Sequence, residues 1–253
     1  MEVLSIDHIK KKRERRKSKK RKSMKLEKLD VKKLAKMIDH TCLKPYATKQ
    51  DLEKLCKEAK EVDTAMIAIN TEWTRFCKEL LKDTDVHVGA AISFPLGQEG
   101  LPVKLYETEY AISEGADEID YVIHIGKAKM HDWAYLEDEM RQINDICKKH
   151  HVICKVIFET CYLSDDEIIE LAKIASKVKP DFIKTSTGFG TAGATAHHVR
   201  LMKENAKEDV KVKAAGGIRD LKTALEMVEA GAERIGTSST LKILEEASQD
   251  FKV

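Results

Sequence analysis

DFIKTSTGFGTAGAT, residues 181–195, joins a short apolar run to a glycine-rich segment, and Lys184 stands where the two meet. Phe182 and Ile183 predict a buried strand, and the glycines after the lysine predict a tight loop that leads into a helix. A strand followed by a loop and a helix is one βα unit. The stretch therefore raises two questions: whether the rest of the chain repeats this unit, and why a lysine ends a buried strand.

Eight runs of β-branched or apolar residues recur along the chain. They are MIDHT (37–41), TAMIAIN (64–70), VHVGAAISF (86–94), EIDYVIHI (118–125), VICKVIFET (152–160), DFIKTS (181–186), VKVKAAGG (210–217) and RIGTS (234–238). Their starts are about 20 to 35 residues apart, which is the length of one βα unit. The spacing indicates strands that alternate with helices.

The segments between these runs carry helix start and stop signals. Thr48 and Asp51 fit the beginning of one helix, and Ser164 with Glu167 forms a capping box at the beginning of another. Eight βα units in about 215 residues predict an α/β protein, a single closed (β/α)8 TIM barrel. A helix in MKLEKLDVKKLAKMI precedes the first strand. An open, doubly wound parallel sheet is the alternative fold.

Composition limits the class of protein. The chain has 253 residues and 42% hydrophobic residues, enough for one sizeable core. No apolar stretch approaches the roughly 18 residues that span a bilayer, and no signal peptide opens the chain. The six cysteines have no metal-binding or disulfide spacing. We therefore expect a cytoplasmic protein with reduced thiols and no membrane contact.

The first residues differ from the rest of the chain. Residues 1–24 contain eleven Lys or Arg and three acidic residues, a net charge of +8 in a chain whose total is +2. Such a segment cannot bury a core, so residues 1–23 are expected to form a disordered basic arm and residues 24–253 the folded domain. Met24 is an alternative start position. Basic residues 10–22 also suit nucleic-acid contact or nuclear import.

The glycine segment GFGTAG (188–193) has the G-x-G-x-x-G spacing of dinucleotide-binding loops, but its context differs. The next strand ends in KAAGG and has no acidic residue for a ribose, and no G-K-[ST] follows that would indicate a P-loop. A phosphate site formed by the last loops of a barrel fits better. Its candidate residues are Gly188, Gly216, Gly217, Ser238 and Ser239. These residues predict a phosphorylated substrate.

Two lysines and an aspartate predict the chemistry. Lys184 and Lys213 belong to consecutive strands and can point into the same end of the barrel. Two close ammonium groups lower the pKa of one of them, which makes a nucleophilic amine for a Schiff base with a carbonyl substrate. Asp120, with Asp39 as a second candidate, can transfer protons. The alternative for Lys184 is a structural role, as a snorkelling side chain or as the ion-pair partner of Asp120.

A metal-dependent aldolase would require clustered histidines. His40, His87 and His124 lie on separate strands, and His150–His151 and His197–His198 are adjacent pairs that are not expected to face one site on a helix. The sequence therefore predicts neither a metal nor another cofactor.

Several ordered motifs resemble those of the deoxyribose-phosphate aldolase family. They are IDHTCLKPYAT (38–48), SFPLG (93–97), EGADEIDYVIHIG (114–126), KVIFET (155–160), DFIKTSTGFG with GAT (181–195), VKAAGGIRD (212–220) and AGAERIGTSS (230–239). The resemblance runs from about residue 34 to residue 244. It implies a (β/α)8 barrel and the reversible cleavage of 2-deoxy-D-ribose 5-phosphate to D-glyceraldehyde 3-phosphate and acetaldehyde, in deoxynucleoside catabolism.

The resemblance also implies residue roles. Lys184 matches the Schiff-base lysine, Lys213 the lysine that lowers its pKa, and Asp120 the proton-transfer acid. Asp39 and Thr41 match positions that assist the relay or contact substrate hydroxyls. Gly188, Gly216, Gly217, Ser238 and Ser239 match phosphate-binding positions.

The chain departs from the family pattern at two places that bear on the site. Phe189 stands where some relatives place a phosphate-contacting lysine, and the chain ends in DFKV where some relatives have an active-site tyrosine.

Relatives are often homodimers. Two other functions remain as alternatives: a Schiff-base lyase or transaldolase for another phosphorylated sugar, and a non-enzymatic barrel that binds nucleic acid through its arm.

Overall fold

The computed structural model describes residues 29–251, so the basic arm and Met24 lie outside the described residues. The strands are β1 (Ile38–Cys42), β2 (Met66–Asn70), β3 (His87–Ile92), β4 (Glu118–Val122), β5 (Ile153–Ile157), β6 (Phe182–Lys184), β7 (Lys211–Ala215) and β8 (Arg234–Thr237). The α-helices are α1 (Val31–Ala35), α2 (Lys49–Val62), α3 (Thr74–Leu81), α4 (Leu101–Ser113), α5 (Ile125–Lys129), α6 (Trp133–Lys149), α7 (Asp165–Val178), α8 (Ala196–Asn205), α9 (Leu221–Ala230) and α10 (Thr240–Asp250). Two short 3-10 helices occupy Thr71–Trp73 and Thr160–Tyr162.

All eight predicted strands are present and form one closed parallel barrel. Each strand pairs with the next in the chain, and β1 closes the barrel against β8 through pairs such as Ile38 with Ile235. The closed sheet confirms the predicted (β/α)8 barrel and excludes the open sheet. Because all strands are parallel, the loops after their carboxyl ends meet at one face of the barrel.

The strands and the first helix are shorter than the sequence pattern indicates. The sequence pattern predicts a fourth strand that extends to residue 125, but His124 caps α5, and its side chain accepts a hydrogen bond from the Lys127 backbone N–H. In the described part of the predicted first helix, α1 covers five residues. Asp30 begins it by accepting the Lys33 N–H, and the chain turns after Ala35 to enter β1.

The two predicted helix starts are confirmed. Thr48 with Asp51 and Ser164 with Glu167 both form complete capping boxes. Gly231 ends α9 at φ +119°, a left-handed conformation that glycine adopts without a steric cost. These local signals place each helix so that it returns the chain to the amino end of the next strand.

The core has two parts of opposite character. Apolar side chains of the helices pack on the outside of the barrel, around residues such as Tyr121, Val156 and Ile235. Inside the barrel, side chains alternate with period two along each strand, and charged residues fill much of the space. These buried charged residues are Asp39, Glu118, Asp120, Lys155, Lys184 and Lys213.

All six cysteines are free thiols. Within residues 29–251, no helix has both the length and the apolar character that crossing a bilayer requires.

Candidate active site

Lys184 and Lys213 lie side by side across β6 and β7, where they are register partners. Lys184 Nζ is 2.8 Å and Lys213 Nζ is 2.6 Å from the same oxygen, Oδ2 of Asp120 on β4. Lys184 and Asp120 are each 2% exposed, and Lys213 is fully buried. The structure therefore brings together the three residues that the sequence selected for the chemistry.

The ammonium of Lys184 has an altered pKa. The pKa of Lys184 is lowered to about 8: burial is the largest cause, Asp120 opposes it, and the charge of Lys213 also lowers the pKa. The sequence-based expectation named the neighbouring lysine as the cause, but burial is the larger one, because an ammonium loses its hydration in the barrel interior. A lysine with this pKa is partly a free amine near neutral pH, which is what attack on a carbonyl requires.

Asp120 remains ionised although it is buried. Burial alone would raise its pKa, but Lys155, Lys184 and Lys213 together hold it well below its usual value. The carboxylate is thus able to accept a proton from a reacting group in the cavity above it.

Asp39 lies one layer below, towards the amino end of β1. Its Oδ2 is 2.5 Å from Lys213 Nζ, and its Oδ1 is 2.6 Å from a guanidinium nitrogen of Arg234. Thr41 lies two residues further along the same face and donates its hydroxyl to the Asp39 carbonyl at 2.9 Å. Asp39 therefore contacts the second lysine, not Lys184.

Sequence reasoning missed Lys155 and the groups beneath it. Lys155 is the register partner of Asp120 on β5, its Nζ is 2.6 Å from Asp120 Oδ1, and it also pairs closely with Glu118. Arg234 and His87 contact Glu118 from below. The available signal was the one used for Lys184, a lysine within an apolar strand. These groups form a buried ion network that orients the Asp120 carboxylate.

A cavity of about 360 Å³ opens above the lysines at the carboxyl face of the barrel. Its wall includes Lys184, Lys213 and five of the six predicted substrate residues, which are Thr41, Gly188, Gly216, Gly217 and Ser238; Thr237 lines it as well. Ser239 lies just outside the lining, where its backbone N–H donates to Thr237 Oγ1 at 2.9 Å. Arg219 also lines the cavity and was not selected from the sequence.

The glycines of two neighbouring loops allow a close approach of backbone to backbone. A Cβ atom on Gly216 would come within 3.0 Å of Gly193 Cα, and one on Gly193 would lie 2.2 Å from the Gly216 carbonyl oxygen. Gly217 faces open space but has φ +78°, a conformation that other residues rarely adopt. The β6–α8 and β7–α9 loops therefore pack together beside the cavity.

Glu159 is a second feature that the sequence did not single out. It is buried at φ +55° beneath the β6–α8 loop, and its carboxylate accepts the backbone N–H of Thr187 at 3.2 Å together with the Thr187 hydroxyl. Thr187 in turn accepts the Phe189 N–H at 3.0 Å. This chain of hydrogen bonds holds the start of the glycine segment against β5.

Two aromatic rings border the reacting lysine. Phe94 lies 6.0 Å from Lys184 Nζ, measured to its ring centroid, and packs edge to face against Phe189 at 5.5 Å. Phe189 also lines the cavity and gives one side of it an apolar surface.

The histidines on separate strands do not converge. His40 pairs with Glu58, His87 lies at the opposite end of the barrel, and His124 caps α5.

The expectation that His197 and His198 do not face one site was wrong, because one nitrogen of each ring and a carboxylate oxygen of Asp165 lie within 4.8 Å of one another. Adjacent residues can reach one point when they begin a helix and the third group comes from another helix.

Comparison with known proteins agrees with this geometry. The chain matches the model of the DeoC/LacD family aldolases over residues 33–246. It is 54% identical over 209 residues to a deoxyribose-phosphate aldolase of Lactobacillus acidophilus, covering 83% of this chain and 88% of that one.

A second relative, from Bacteroides thetaiotaomicron, has the same name and is 50% identical over 217 residues, with 86% and 91% covered. The solved structure of a tetrameric deoxyribose phosphate aldolase from Aeropyrum pernix superposes with a TM-score of 0.83 and 33% identity, over 92% of this chain and 97% of that chain. Both the family model and these relatives extend over nearly all of the barrel. The chain therefore belongs to the DeoC/LacD family of aldolases.

Proposed function

We propose that this protein cleaves 2-deoxy-D-ribose 5-phosphate reversibly to D-glyceraldehyde 3-phosphate and acetaldehyde, through a Schiff base on Lys184. The observation that carries the proposal is the Lys184 amine, which lines the cavity, has a pKa of about 8 and contacts the carboxylate of Asp120 as a proton acceptor. The relatives named for this activity support the choice of substrate.

The reaction begins at the aldehyde carbon C1 of the open-chain sugar. The free amine of Lys184 adds to C1, and loss of water from the carbinolamine gives a protonated imine. Asp120 lies within hydrogen-bonding distance of Lys184 and is suited to carry the protons of these steps. Lys213 holds the same carboxylate oxygen and supplies a positive charge beside the reacting nitrogen.

The protonated imine then acts as the electron sink. Removal of the proton from the C3 hydroxyl breaks the C2–C3 bond, so the bonding electrons form an enamine between C1 and C2, and C3 becomes the aldehyde of D-glyceraldehyde 3-phosphate. Protonation at C2 and hydrolysis of the imine release acetaldehyde and restore the Lys184 amine. The water lost in the first stage is regained in the last. Thr41 lines the cavity, which supports a contact with a substrate hydroxyl, and the contact of Asp39 with Lys213 supports a part for Asp39 in the relay.

The phosphate is proposed to lie at the loops after β6, β7 and β8. Backbone N–H groups of glycine loops approach an anion closely, and the start of α10 adds the positive end of a helix dipole. The residues proposed for this role are Gly188, Gly216, Gly217, Ser238 and Ser239. Arg219 lines the same cavity and supplies the cationic group that Phe189 lacks.

Trapping of the intermediate tests the proposal. The protein is incubated with 2-deoxy-D-ribose 5-phosphate, reduced with borohydride and mapped by mass spectrometry, with Lys184→Met as the control. A reduced adduct on Lys184 and acetaldehyde as the released product support the assignment. An adduct on Lys213 would reverse the roles of the two lysines. Absence of an adduct from folded protein at high substrate would refute the Schiff-base mechanism.

Product analysis separates the proposed substrate from the alternative. A lyase or transaldolase for another phosphorylated sugar would transfer or release a larger carbonyl fragment in place of acetaldehyde.

A homodimer and a cytoplasmic location stay predictions, as do the domain boundary at residue 24 and nucleic-acid contact by the basic arm.

A further inference from the structure

Two helices that flank the glycine loop bring three potential metal ligands together at the carboxyl face of the barrel. Asp165 is the first residue of α7, and His197 and His198 lie in the first turn of α8. Within residues 29–251, these are the one set of three His, Cys, Asp or Glu ligand atoms that lie within 4.8 Å of one another. We call Asp165, His197 and His198 the His-His-Asp cluster.

One histidine of the cluster is oriented by a buried neighbour. His198 Nδ1 is 3.1 Å from Oγ1 of Thr160, which is buried in the 3-10 helix after β5. In the tautomer in which Nδ1–H donates to this hydroxyl, Nε2 of His198 is the nitrogen that can bind a metal. Metal-bound histidines typically make such a hydrogen bond with the second ring nitrogen, because it fixes the tautomer and the ring orientation.

The other two groups face solvent and already touch. His197 Nε2 is 2.8 Å from Asp165 Oδ2, and their side chains are 59% and 53% exposed. Two ligands on one tetrahedral ion are about 3.3 Å apart for bonds of about 2.0 Å. Small rotations of exposed side chains are enough to reach this spacing, and a cation from solution can enter without opening the fold.

We propose that the His-His-Asp cluster binds a divalent cation of the zinc class, with water in the remaining coordination positions. Two neutral imidazoles and one carboxylate are a donor set that zinc accepts in proteins, whereas magnesium and calcium prefer oxygen ligands. The site is separate from the Schiff-base chemistry and has no part in it.

The simpler interpretation is that His197 and Asp165 form a surface ion pair. The positive end of the α8 dipole opposes a cation, but this effect is weak for exposed groups compared with the strength of metal–ligand bonds. Asp166, in the first turn of α7, adds negative charge nearby. Measurement of metal binding decides between the two interpretations.

A bound cation would connect two segments that border the substrate cavity. α8 begins at Ala196, with only Ala194 and Thr195 between it and the glycine segment, and α7 begins after the 3-10 helix that follows Glu159. Cross-linking the first turns of α7 and α8 restrains the end of the β6–α8 loop.

Titration of the untagged full-length protein with zinc chloride, followed by calorimetry, tests the site. We expect one site per chain in the unmodified protein and an affinity at least about tenfold lower in His197→Ala, His198→Ala and Asp165→Asn. The matched control is His150→Ala with His151→Ala, an exposed adjacent pair that has no place in the cluster. This control should bind zinc as the unmodified protein does.

Two further measurements distinguish a metal site from general weakening of the fold. Thr160→Val should lower zinc affinity by about 10- to 100-fold while all three ligands remain, because it removes the hydrogen bond that orients His198. Zinc should also raise the melting temperature of the unmodified protein and of the control, but not that of the ligand variants. Absence of zinc binding by the folded protein, or undiminished binding by the His197→Ala, His198→Ala double variant, would overturn the proposal.

Discussion

Lys184 and Lys213 are register partners on adjacent parallel strands, and both ammonium groups contact the same oxygen of Asp120, at 2.8 and 2.6 Å. One carboxylate oxygen thus stands between two cations in a buried layer. This arrangement ties the pKa of the reacting amine to the charge of its neighbours. It leads to predictions that separate the contribution of burial from that of each neighbour.

The rate of the first chemical step should follow the free-amine form of Lys184. With a pKa of about 8, about one tenth of the amine is unprotonated at pH 7, and this fraction rises as the pH increases. We expect kcat/KM for cleavage to increase about tenfold per pH unit below 8 and to level off above it. Initial rates between pH 5.5 and 9.5 check this expectation. A profile that is flat between pH 6 and pH 9 would contradict it.

Lys213→Met should move this profile to higher pH. The change removes a cation that lowers the pKa of Lys184, so the pKa rises and the rate at pH 7 falls by about tenfold for each unit of the shift. Because burial remains, the pKa should stay below its ordinary value. The same pH series on the variant measures the shift. If kcat/KM of the variant rises over the same pH range as that of the unmodified protein, Lys213 has no influence on the pKa of Lys184.

Asp120→Asn should distinguish the effect of Asp120 on the pKa of the nucleophile from its role in proton transfer. The carboxylate raises the pKa of Lys184, so its loss should move the rise of kcat/KM to lower pH. By contrast, kcat should fall at least about 10²-fold because the proton acceptor is gone. Three buried lysines also lose a partner, and we expect a loss of about 3–5 kcal/mol in unfolding free energy. Kinetics and urea unfolding of the same preparation measure both effects. A variant with nearly normal kcat would exclude Asp120 from proton transfer.

Glu159→Gln should weaken the handling of phosphate more than the chemistry. The carboxylate holds Thr187 at the start of the glycine segment, and an amide replaces only part of these hydrogen bonds. We expect KM for 2-deoxy-D-ribose 5-phosphate to rise several-fold with kcat changed less, and the kinetics with unphosphorylated 2-deoxyribose to change little. Equal losses with both sugars would show that Glu159 does not act through the phosphate site.

Lys104→Met tests a buried ion pair outside the site. Lys104 Nζ is 2.7 Å from Glu139 Oε1 and 2.8 Å from the Val122 carbonyl oxygen at the end of β4, and both charged side chains are fully buried. Removing one partner leaves an unpaired buried charge, so unfolding free energy should fall by about 3–5 kcal/mol. Urea unfolding measures the loss. The control is Lys82→Met in the exposed pair with Glu79, where little or no change in unfolding free energy is expected.

The sequence was sufficient for the barrel and for the position of the reacting groups along it. Runs of β-branched or apolar residues and capping boxes such as Ser164 with Glu167 are local signals, because they depend on neighbouring residues and backbone conformation. Eight regularly spaced units then leave few ways to bury the strands. Lys184, Lys213 and Asp120 could be selected because a charged residue in an apolar strand requires a partner.

The partners themselves were decided by tertiary structure. Which residue faces which depends on the register of β4 with β5 and of β6 with β7, and no local pattern specifies a register between strands that are about 30 residues apart in the chain. For this reason the contact of Lys155 with Asp120 and the position of Glu159 under the glycine loop were missed. The same applies to His198, whose approach to Asp165 depends on how α7 and α8 pack side by side. Burial, the main cause of the low pKa of Lys184, likewise exists only once the barrel has closed and excluded water.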